Sequence, residues 1–408
     1  MAVQGTKYDV IVIGGGAAGF FAAISAKYHH PDAKVAIVEK TNKLLAKVKI
    51  SGGGRCNVTH HCFDTKKLSS HYPRGEKELR QVFSRFAVKD TIEWYEVRGV
   101  KLKAEADGRM FPVTDDSQTI IDCLMAETRR LKIEILTNTG IDKITPIENG
   151  FTLTTNNDHL ITEKLIVATG GSPKESGLQW LKELGHRVET PVPSLFTFNM
   201  PKNPVTQLMG VSVPNARVRI NATKFSYTGP LLITHWGMSG PAVLKLSAWG
   251  ARWMAEQDYK CTLSVNWHEA KNEDEVRNYL TEFRTTHKLK QVGTLAPYEL
   301  PRRLWDFFLH RLGIAPTLQW ANMGKQDFNR LVNTLFNDEY AVQGKTTFKE
   351  EFVTAGGISL DDVDMKTLQS RVIPNLYFAG EVLDVDGITG GFNFQAAWST
   401  GFVAGMLG

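Results

Sequence analysis

The sequence predicts an α/β protein whose nucleotide-binding layer is assembled from both ends of the chain. A mostly antiparallel β domain interrupts that layer. Three observations predict this. The apolar run Val10-Ile11-Val12-Ile13 opens into Gly14-x-Gly16-x-x-Gly19 and an alanine-rich stretch. A second apolar run, Leu376-Tyr377-Phe378, ends in Ala379-Gly380-Glu381 and leads to Gly390-Gly391 and a helix start rich in small residues. From about residue 191, prolines and alternating runs such as Ala216-Arg217-Val218-Arg219-Ile220 replace the α/β pattern.

Size and composition agree with this layout. A chain of 408 residues exceeds one ordinary domain, so two or three are expected. Hydrophobic residues make up 42% and charged residues 22%, which suits a globular protein with a full core. No apolar run approaches the length of a membrane helix. Tyr8–Ile13 is too short for a secretory leader, so a cytoplasmic protein with no membrane partner is expected. Lys and Arg number 48 against 43 Asp and Glu. That mild excess fits an anionic ligand. Without a dense basic block, nucleic acid is not the expected partner. Cys56, Cys62, Cys123 and Cys261 form no Cys-x-x-Cys pair, so neither a disulfide framework nor a zinc site is expected.

Residues 8–13 read as a buried strand, and Phe20 to Tyr28 as a helix broken at Pro31-Asp32. Lys34 to Glu39 is the second strand, and Glu39 lies 20 residues beyond Gly19. Strand, glycine turn, helix, strand and acidic end make the dinucleotide fingerprint of a Rossmann-like unit. Gly14 permits the tight turn, and Gly16 lets a pyrophosphate touch the backbone. Gly19 lets helix and strand pack closely, with Ala17 and Ala18 in the first helical turn. Glu39 is expected to accept both ribose hydroxyls, with Lys40 beside it. The fingerprint serves NAD and FAD alike.

Next comes a glycine-rich polar loop: Ser51, Gly52, Gly53, Gly54, Arg55, Cys56 and Asn57, preceded by Lys47-Val48-Lys49-Ile50. It reads as too glycine-rich for a helix. Its amides would support the middle of a dinucleotide, with Arg55 as the phosphate partner. A thiol beside Arg55 would have a lowered pKa. With no partner cysteine, Cys56 reads as packing. His60-His61-Cys62 lacks the further ligands a metal needs, and no metal site is assigned.

Phe83 to Val97 has helical spacing, and Leu102-Lys103 with Gly108–Pro112 reads as a hairpin. Thr119 to Arg130 is an amphipathic helix, Ile133 to Leu136 a strand, and Gly140 onward a run of short strands. Ile141, at the first of these, is the expected backbone contact for an adenine. Leu165-Ile166-Val167 ends in Ala168-Thr169-Gly170-Gly171 and returns the chain to the same ligand at Thr169 and Gly170. In the β domain, Pro230–Thr234 is a strand expected to turn into a helix around His235, with Ser239 as N-cap. Residues 272 to about 336 read as helical and charged. Phe348 to Phe352 leads back, and Thr354-Ala355-Gly356 re-enters the first domain. The expected division is 1–190 with 353–408, interrupted by 191–352, whose helical subdomain spans about 272–336.

Four motifs together resemble the BaiN/YhiN-type bacterial flavoproteins, also described as aminoacetone-oxidase-like. They are Gly-x-Gly-x-x-Gly with Glu39, Ser51-Gly-Gly-Gly-Arg-Cys-Asn57, Thr234-His-x-Gly-x-Ser-Gly-Pro241 and Ala379-Gly-Glu-x-Leu-Asp384 with Thr389-Gly-Gly-Phe-Asn-x-Gln395-Ala396. The resemblance implies FAD, a two-part cofactor domain and an inserted β-barrel-like domain with a helical subdomain. It places pyrophosphate at Gly14–Gly19, and assigns Gly380, Glu381, Asp384, Gly391, Phe392, Asn393, Gln395 and Ala396 to the cofactor. A helix beginning near Asn393 would face the pyrimidine edge of the flavin. The implied activity is hydride transfer through flavin N5 with a small organic substrate, and NAD(P)H as transient co-substrate. His235, Arg109 and Tyr72 are the expected substrate-side groups. The alternatives are an amine oxidase using oxygen and an RNA- or protein-binding flavoprotein.

Overall fold

The computed structural model describes residues 5–156, 158–347 and 353–408. The return segment read at Phe348 to Phe352 lies outside them. The chain divides into two compact units, the second being Leu195–Phe348.

The first unit is built on five parallel strands. β1 (Thr6–Ile13) is followed by α1 (Ala17–His29), β2 (Val35–Val38), β3 (Glu134–Leu136), β4 (Ile141–Ile147), β5 (Gly150–Thr155), β6 (His159–Val167), β7 (Leu376–Phe378) and α2 (Phe392–Gly405). The parallel order is β7, β6, β1, β2, β3. β4 and β5 form an antiparallel meander that delivers the chain to β6. Val10, Ile11, Val12 and Ile13 are all buried because both sheet faces are covered. Each such side chain contributes roughly 1.5–3 kcal/mol. Ile13 lies opposite Val38 on one side and Val167 on the other, and Val167 lies opposite Phe378. The three strand ends that precede glycine turns are therefore level.

α1 and α2 pack against each other almost backbone to backbone. A Cβ on Gly401 would lie 2.6 Å from Ala18 O, and one on Gly405 2.4 Å from Ala22 O. The small residues of both helices permit this approach, which brings the two ends of the chain together.

Two local expectations change. The segment read as one helix from Phe83 to Val97 is two, Glu76–Phe83 and Val88–Glu96. The loop read as non-helical begins as a helix, Ala46–Gly54, with Ser51, Gly52 and Gly53 leaving helical geometry. The preceding Lys47-Val48-Lys49-Ile50 supplies helix formers, and the turn unwinds only where the glycines begin.

The second unit is an antiparallel sheet of seven strands. In spatial order they are Asp338–Gln343, Lys260–Asn266, Ser212–Ile220, Ser226–Thr234, Gly237–Ser239, Thr197–Asn199 and Lys345–Thr346. The two outermost strands are consecutive in sequence and joined at Gly344, so the sheet curls round until its edges meet. Asn199 N donates to Gly344 O at 2.9 Å across that seam. Closure removes free edges, as in a barrel. Helices Glu273–Thr286, Arg302–Leu312 and Lys325–Phe336 lie between two of its strands in sequence and share its buried core through Leu280, Trp305, Phe308 and Leu331.

The expected strand-to-helix turn at His235 is instead a hairpin. His235-Trp236 connects Ser226–Thr234 to Gly237–Ser239, and a helix follows at Pro241–Trp249. Its N-cap is Gly240, not Ser239. Ser239 is drawn into strand pairing opposite Leu232, which leaves it no freedom to cap.

Candidate cofactor site

Three turns meet at the level ends of β1, β6 and β7. Gly14 N donates to Val38 O at 2.8 Å, Ala168 N to Ile13 O at 2.8 Å and Ala379 N to Val167 O at 2.9 Å. Ligands of open α/β sheets gather at such carboxyl ends, where strand order reverses. The reversal here is at β1, which lies between β2 and β6.

The glycines divide by what surrounds them. Gly14 sits at φ +113°, and a Cβ there would lie 2.3 Å from Ala168 O. A Cβ on Gly19 would lie 1.9 Å from Gly14 O. Both are packing positions, closed by the protein itself. Gly16, by contrast, faces nothing within 4 Å, as do Gly53, Gly54 and Gly170. Bare backbone facing open space is what an extended anion needs to approach closely.

Two helices begin at this end without a side-chain cap. α1 starts after Gly16, and α2 starts after Gly391. Their first-turn N–H groups and macrodipoles favour negative charge. α2 begins at Phe392, one residue before the expected start. The buried Thr354 Oγ1 has no hydrogen-bond partner and stands beside Gly171, where a Cβ would come within 2.7 Å of it. Open glycines, uncapped helix starts and an orphaned hydroxyl fit a dinucleotide such as FAD.

Glu39 ends the second strand but is already engaged. Its Oε2 accepts from Gly15 N at 3.0 Å, and its Oε1 accepts from Thr41 N and Oγ1, both at 3.0 Å. With about four lone-pair sites in a carboxylate, one remains on Oε2. The structure leaves room for one ribose hydroxyl rather than two. Lys40 is exposed beside it. Thr139 N donates to Glu39 O at 3.0 Å, which brings Ile141 into the same neighbourhood. Glu39→Ala is expected to weaken FAD retention about tenfold, about 1.4 kcal/mol. Equilibrium dialysis against FAD measures it, and unchanged affinity would remove Glu39 from the ribose contact.

The polar loop differs from expectation at Arg55. Its Nη1 donates to Glu105 Oε1 at 2.7 Å and lies 3.6 Å from Asp115. Its guanidinium stacks 4.0 Å above the Phe111 ring. The hairpin Leu102–Ala104 with Arg109–Pro112 presents those partners, so Arg55 ties the loop to its neighbour instead of offering a free fork to phosphate. Cys56 is fully buried, and burial pushes its thiol up to about 12, slightly offset by Ser51. The lowered pKa considered from Arg55 is overruled by desolvation. Ser51 Oγ donates to Val48 O at 3.1 Å. With its amide turned so that oxygen faces the donor and nitrogen the acceptor, Asn57 accepts from Gly391 N at 2.9 Å and donates to Thr59 O at 3.0 Å, which pins the start of α2.

The C-terminal residues largely shape the turn that carries them. Asn393 accepts from Gly387 N at 2.8 Å and donates to Gly387 O at 2.9 Å. Gln395 is buried and donates to Thr91 Oγ1 and Ser399 Oγ, while Thr59 donates to its Oε1 at 2.5 Å. Gly380 N donates to Thr400 Oγ1 at 2.9 Å, and Asp384 N to Ile358 O at 3.0 Å. Glu381 pairs with Lys47 at 2.7 Å and accepts from Thr354 N at 2.8 Å. A Cβ on Gly380 would lie 2.7 Å from Ala18 Cβ, so the β7 turn touches the first turn of α1. Ala18 keeps that contact small, Ala17 and Ala396 lie in the first turns of α1 and α2, and Thr169 precedes Gly170 at the β6 turn.

Of the expected substrate-side groups, Tyr72 is fully buried and its hydroxyl donates to Phe392 O at 2.6 Å. It supports the α2 start from beneath. Arg109 is ion-paired to Glu105 at 2.9 Å and Asp107 at 2.7 Å. His235 is exposed in the second unit, its ring 4.1 Å from that of Trp236. Two groups went unnoticed in this role. The rings of His60 and His71 pack on Phe392 with centroids 4.6 and 4.4 Å away, and His60 Nδ1 donates to Gly390 O at 3.0 Å. His60 was weighed only as a metal ligand. Among the described residues, no group of three or more His, Cys, Asp or Glu side chains is placed to hold a metal ion. Nor is any helix among them long and apolar enough to cross a membrane.

Fold and site together define an FAD-binding oxidoreductase with a Rossmann-type sheet. A family model described as the HI0933-like protein Rossmann domain matches residues 8–407, and the chain belongs to that family. It is 30% identical to a ribosomal RNA dihydrouridine synthase of Escherichia coli, over 97% of this chain and 96% of the relative. It is 27% identical to a 3-dehydro-bile acid delta(4,6)-reductase of Clostridium scindens, over 97% of each. Among solved structures, a 3-ketosteroid-delta4-(5alpha)-dehydrogenase of Rhodococcus jostii superposes with a TM-score of 0.51 at 12% identity, covering 98% of this chain and 97% of that one. That likeness bears on fold alone.

Proposed function

We propose that the protein is an FAD-dependent reductase that saturates a carbon–carbon double bond conjugated to a carbonyl, with NAD(P)H as reductant. The observation that carries this reading is the open backbone at Gly16 and Gly170 beside two uncapped helix starts, which suits an extended flavin dinucleotide. The choice of reaction draws on two relatives with different substrates. Making dihydrouridine saturates the C5–C6 bond of uracil, and a delta(4,6)-reductase acting on a 3-dehydro compound saturates a dienone. Both reactions deliver a hydride to a carbon conjugated with a carbonyl.

Bound FAD would supply the hydride carrier, loaded from NAD(P)H and discharged to the substrate. The chain's own residues do the rest. The unit carrying β1 and α2 serves as the cofactor domain, and the barrel as a domain inserted near residues 191–352. The N-terminus of α2 favours negative charge next to it and so supports a reduced, anionic ring. Asn57, Asn393 and Tyr72 hold that helix start in place. The new carbanion also needs a proton. His60 and His71, whose rings pack on Phe392, are the candidates for supplying it, and Arg109 is a further candidate for holding the substrate.

An anaerobic visible spectrum before and after NADPH or NADH tests the reading. Flavin bands are expected to bleach and then to recover when a conjugated enone is added. Bands that persist with either nucleotide, yet bleach with an amine, overturn it in favour of an oxidase.

A further inference from the structure

We infer that the helical insert of the second unit carries a phosphate-binding surface for structured RNA, centred on Arg284, Lys288, Lys290 and Lys325. The inference rests on the proposed reduction and names the carrier of its substrate, a uracil base held within RNA.

The charge of the chain is unevenly placed. Leu195–Phe348 holds 18 Lys and Arg against 12 Asp and Glu, whereas the remainder holds 30 against 31. The basic excess of the protein therefore belongs to the inserted unit. Within that unit, many cations are neutralised locally. Arg277 pairs with Glu273, Arg302 with Asp306, Arg311 with Asp338, Arg330 with Asp327 and Lys260 with Asp258.

At one end of the insert several cations are not neutralised. Helix Glu273–Thr286 runs out into His287-Lys288-Leu289-Lys290, and among the described residues Arg284, Lys288, Lys290 and Lys325 enter no ion pair. The loop backbone is held rigidly. Lys288 O accepts from Ala321 N at 3.0 Å, and Lys290 O from Trp320 N at 3.0 Å. Arg284 donates to Ala321 O at 3.0 Å. Trp320 is fully buried beneath, so the loop stands on the core. Lys288 and Lys290 are exposed, and Leu289 between them is 73% exposed. Arg277 reaches Asn329 at 2.7 Å, which sets the helix Lys325–Phe336 alongside, and Lys325 follows by four residues Ala321, whose N–H is held at Lys288 O. The acidic groups here are Glu282, on the last turns of the first helix, and Asp327, which Arg330 holds.

Cations without carboxylate partners favour a polyanion, because each phosphate met releases condensed counterions. A lipid surface is the weaker fit. A single exposed leucine adds too little apolar area to seat the loop in a bilayer.

The test uses the holoenzyme, a fluorescein-labelled ribosomal RNA hairpin and fluorescence anisotropy across a KCl series. Lys288→Glu with Lys290→Glu is expected to weaken RNA binding at least tenfold and to flatten the salt slope by about two contacts. A control, Lys66→Glu with Lys67→Glu in the other unit, is expected to change neither. Flavin content and bleaching by NAD(P)H are measured on every variant. Unchanged RNA affinity in the Lys288/Lys290 variant, with flavin content intact, overturns the inference and leaves the reductase reading standing. Binding of the wild-type loop to phosphatidylglycerol vesicles with none to RNA overturns it in favour of a lipid surface. Failure of bleaching with RNA binding intact overturns the proposed reduction instead.

Discussion

Gly16→Val is expected to yield a folded protein that does not retain FAD. The position is unusual among the fingerprint glycines. Its φ of −96° is open to any residue, and an added Cβ would meet nothing within 4 Å. The fold therefore has no reason to object. A bound pyrophosphate would, because the valine methyls would stand where its oxygens approach the first-turn amides of α1. Cofactor affinity should fall at least about 100-fold, about 2.7 kcal/mol. Thermal unfolding of the apoprotein should match wild type. Gly14→Val makes the useful contrast. At φ +113°, with Ala168 O 2.3 Å from the new Cβ, it should lose stability as well as flavin. Wild-type flavin content in Gly16→Val would remove the pyrophosphate from this turn.

Arg74→Leu is expected to be the most destabilising single change in the cofactor unit. Arg74 grips both oxygens of Asp386, a carboxylate with no exposed side-chain surface, and Ser194 Oγ adds a third hydrogen bond at 2.7 Å. Removing the guanidinium leaves a buried charge uncompensated, which costs about 3–5 kcal/mol. Differential scanning calorimetry should show the unit unfolding roughly 10 °C lower. The double change Arg74→Met, Asp386→Leu should recover much of that loss, since no charge is then stranded. Asp386 lies in the turn between β7 and α2, so Arg74→Leu should also release flavin more readily. A melting temperature within a degree of wild type would show that the pair is dispensable.

The lesson for reading such a chain lies in which residues were legible. Val10–Gly19, Val35–Glu39 and the Ala379-Gly380-Glu381 turn could be read in order because each is local. A short β-branched apolar run that ends in a glycine turn reads as a buried strand, and a glycine at fixed spacing marks a backbone that must turn or be approached. The helical, charged character of 272–336 was legible too, and Glu273–Thr286, Arg302–Leu312 and Lys325–Phe336 are its helices. Arg55 was not, because its partners Glu105 and Asp115 are some fifty residues away and reach it only when a hairpin forms. Tyr72 looked available in sequence and is buried, since nothing local records that Phe392 O will accept its hydroxyl.

The sequence by itself determined the dinucleotide fingerprint, the junction of the two chain ends in one sheet and the change of character near residue 191. Only the tertiary structure decided which glycines face open space and which face backbone. It also decided that Glu39 keeps one acceptor site, and that among the described residues Lys288 and Lys290 enter no ion pair. The physical reason is common to all three. Local conformation follows from each residue and its near neighbours, but lone pairs, open volume and unpaired charge depend on which distant groups the fold brings alongside.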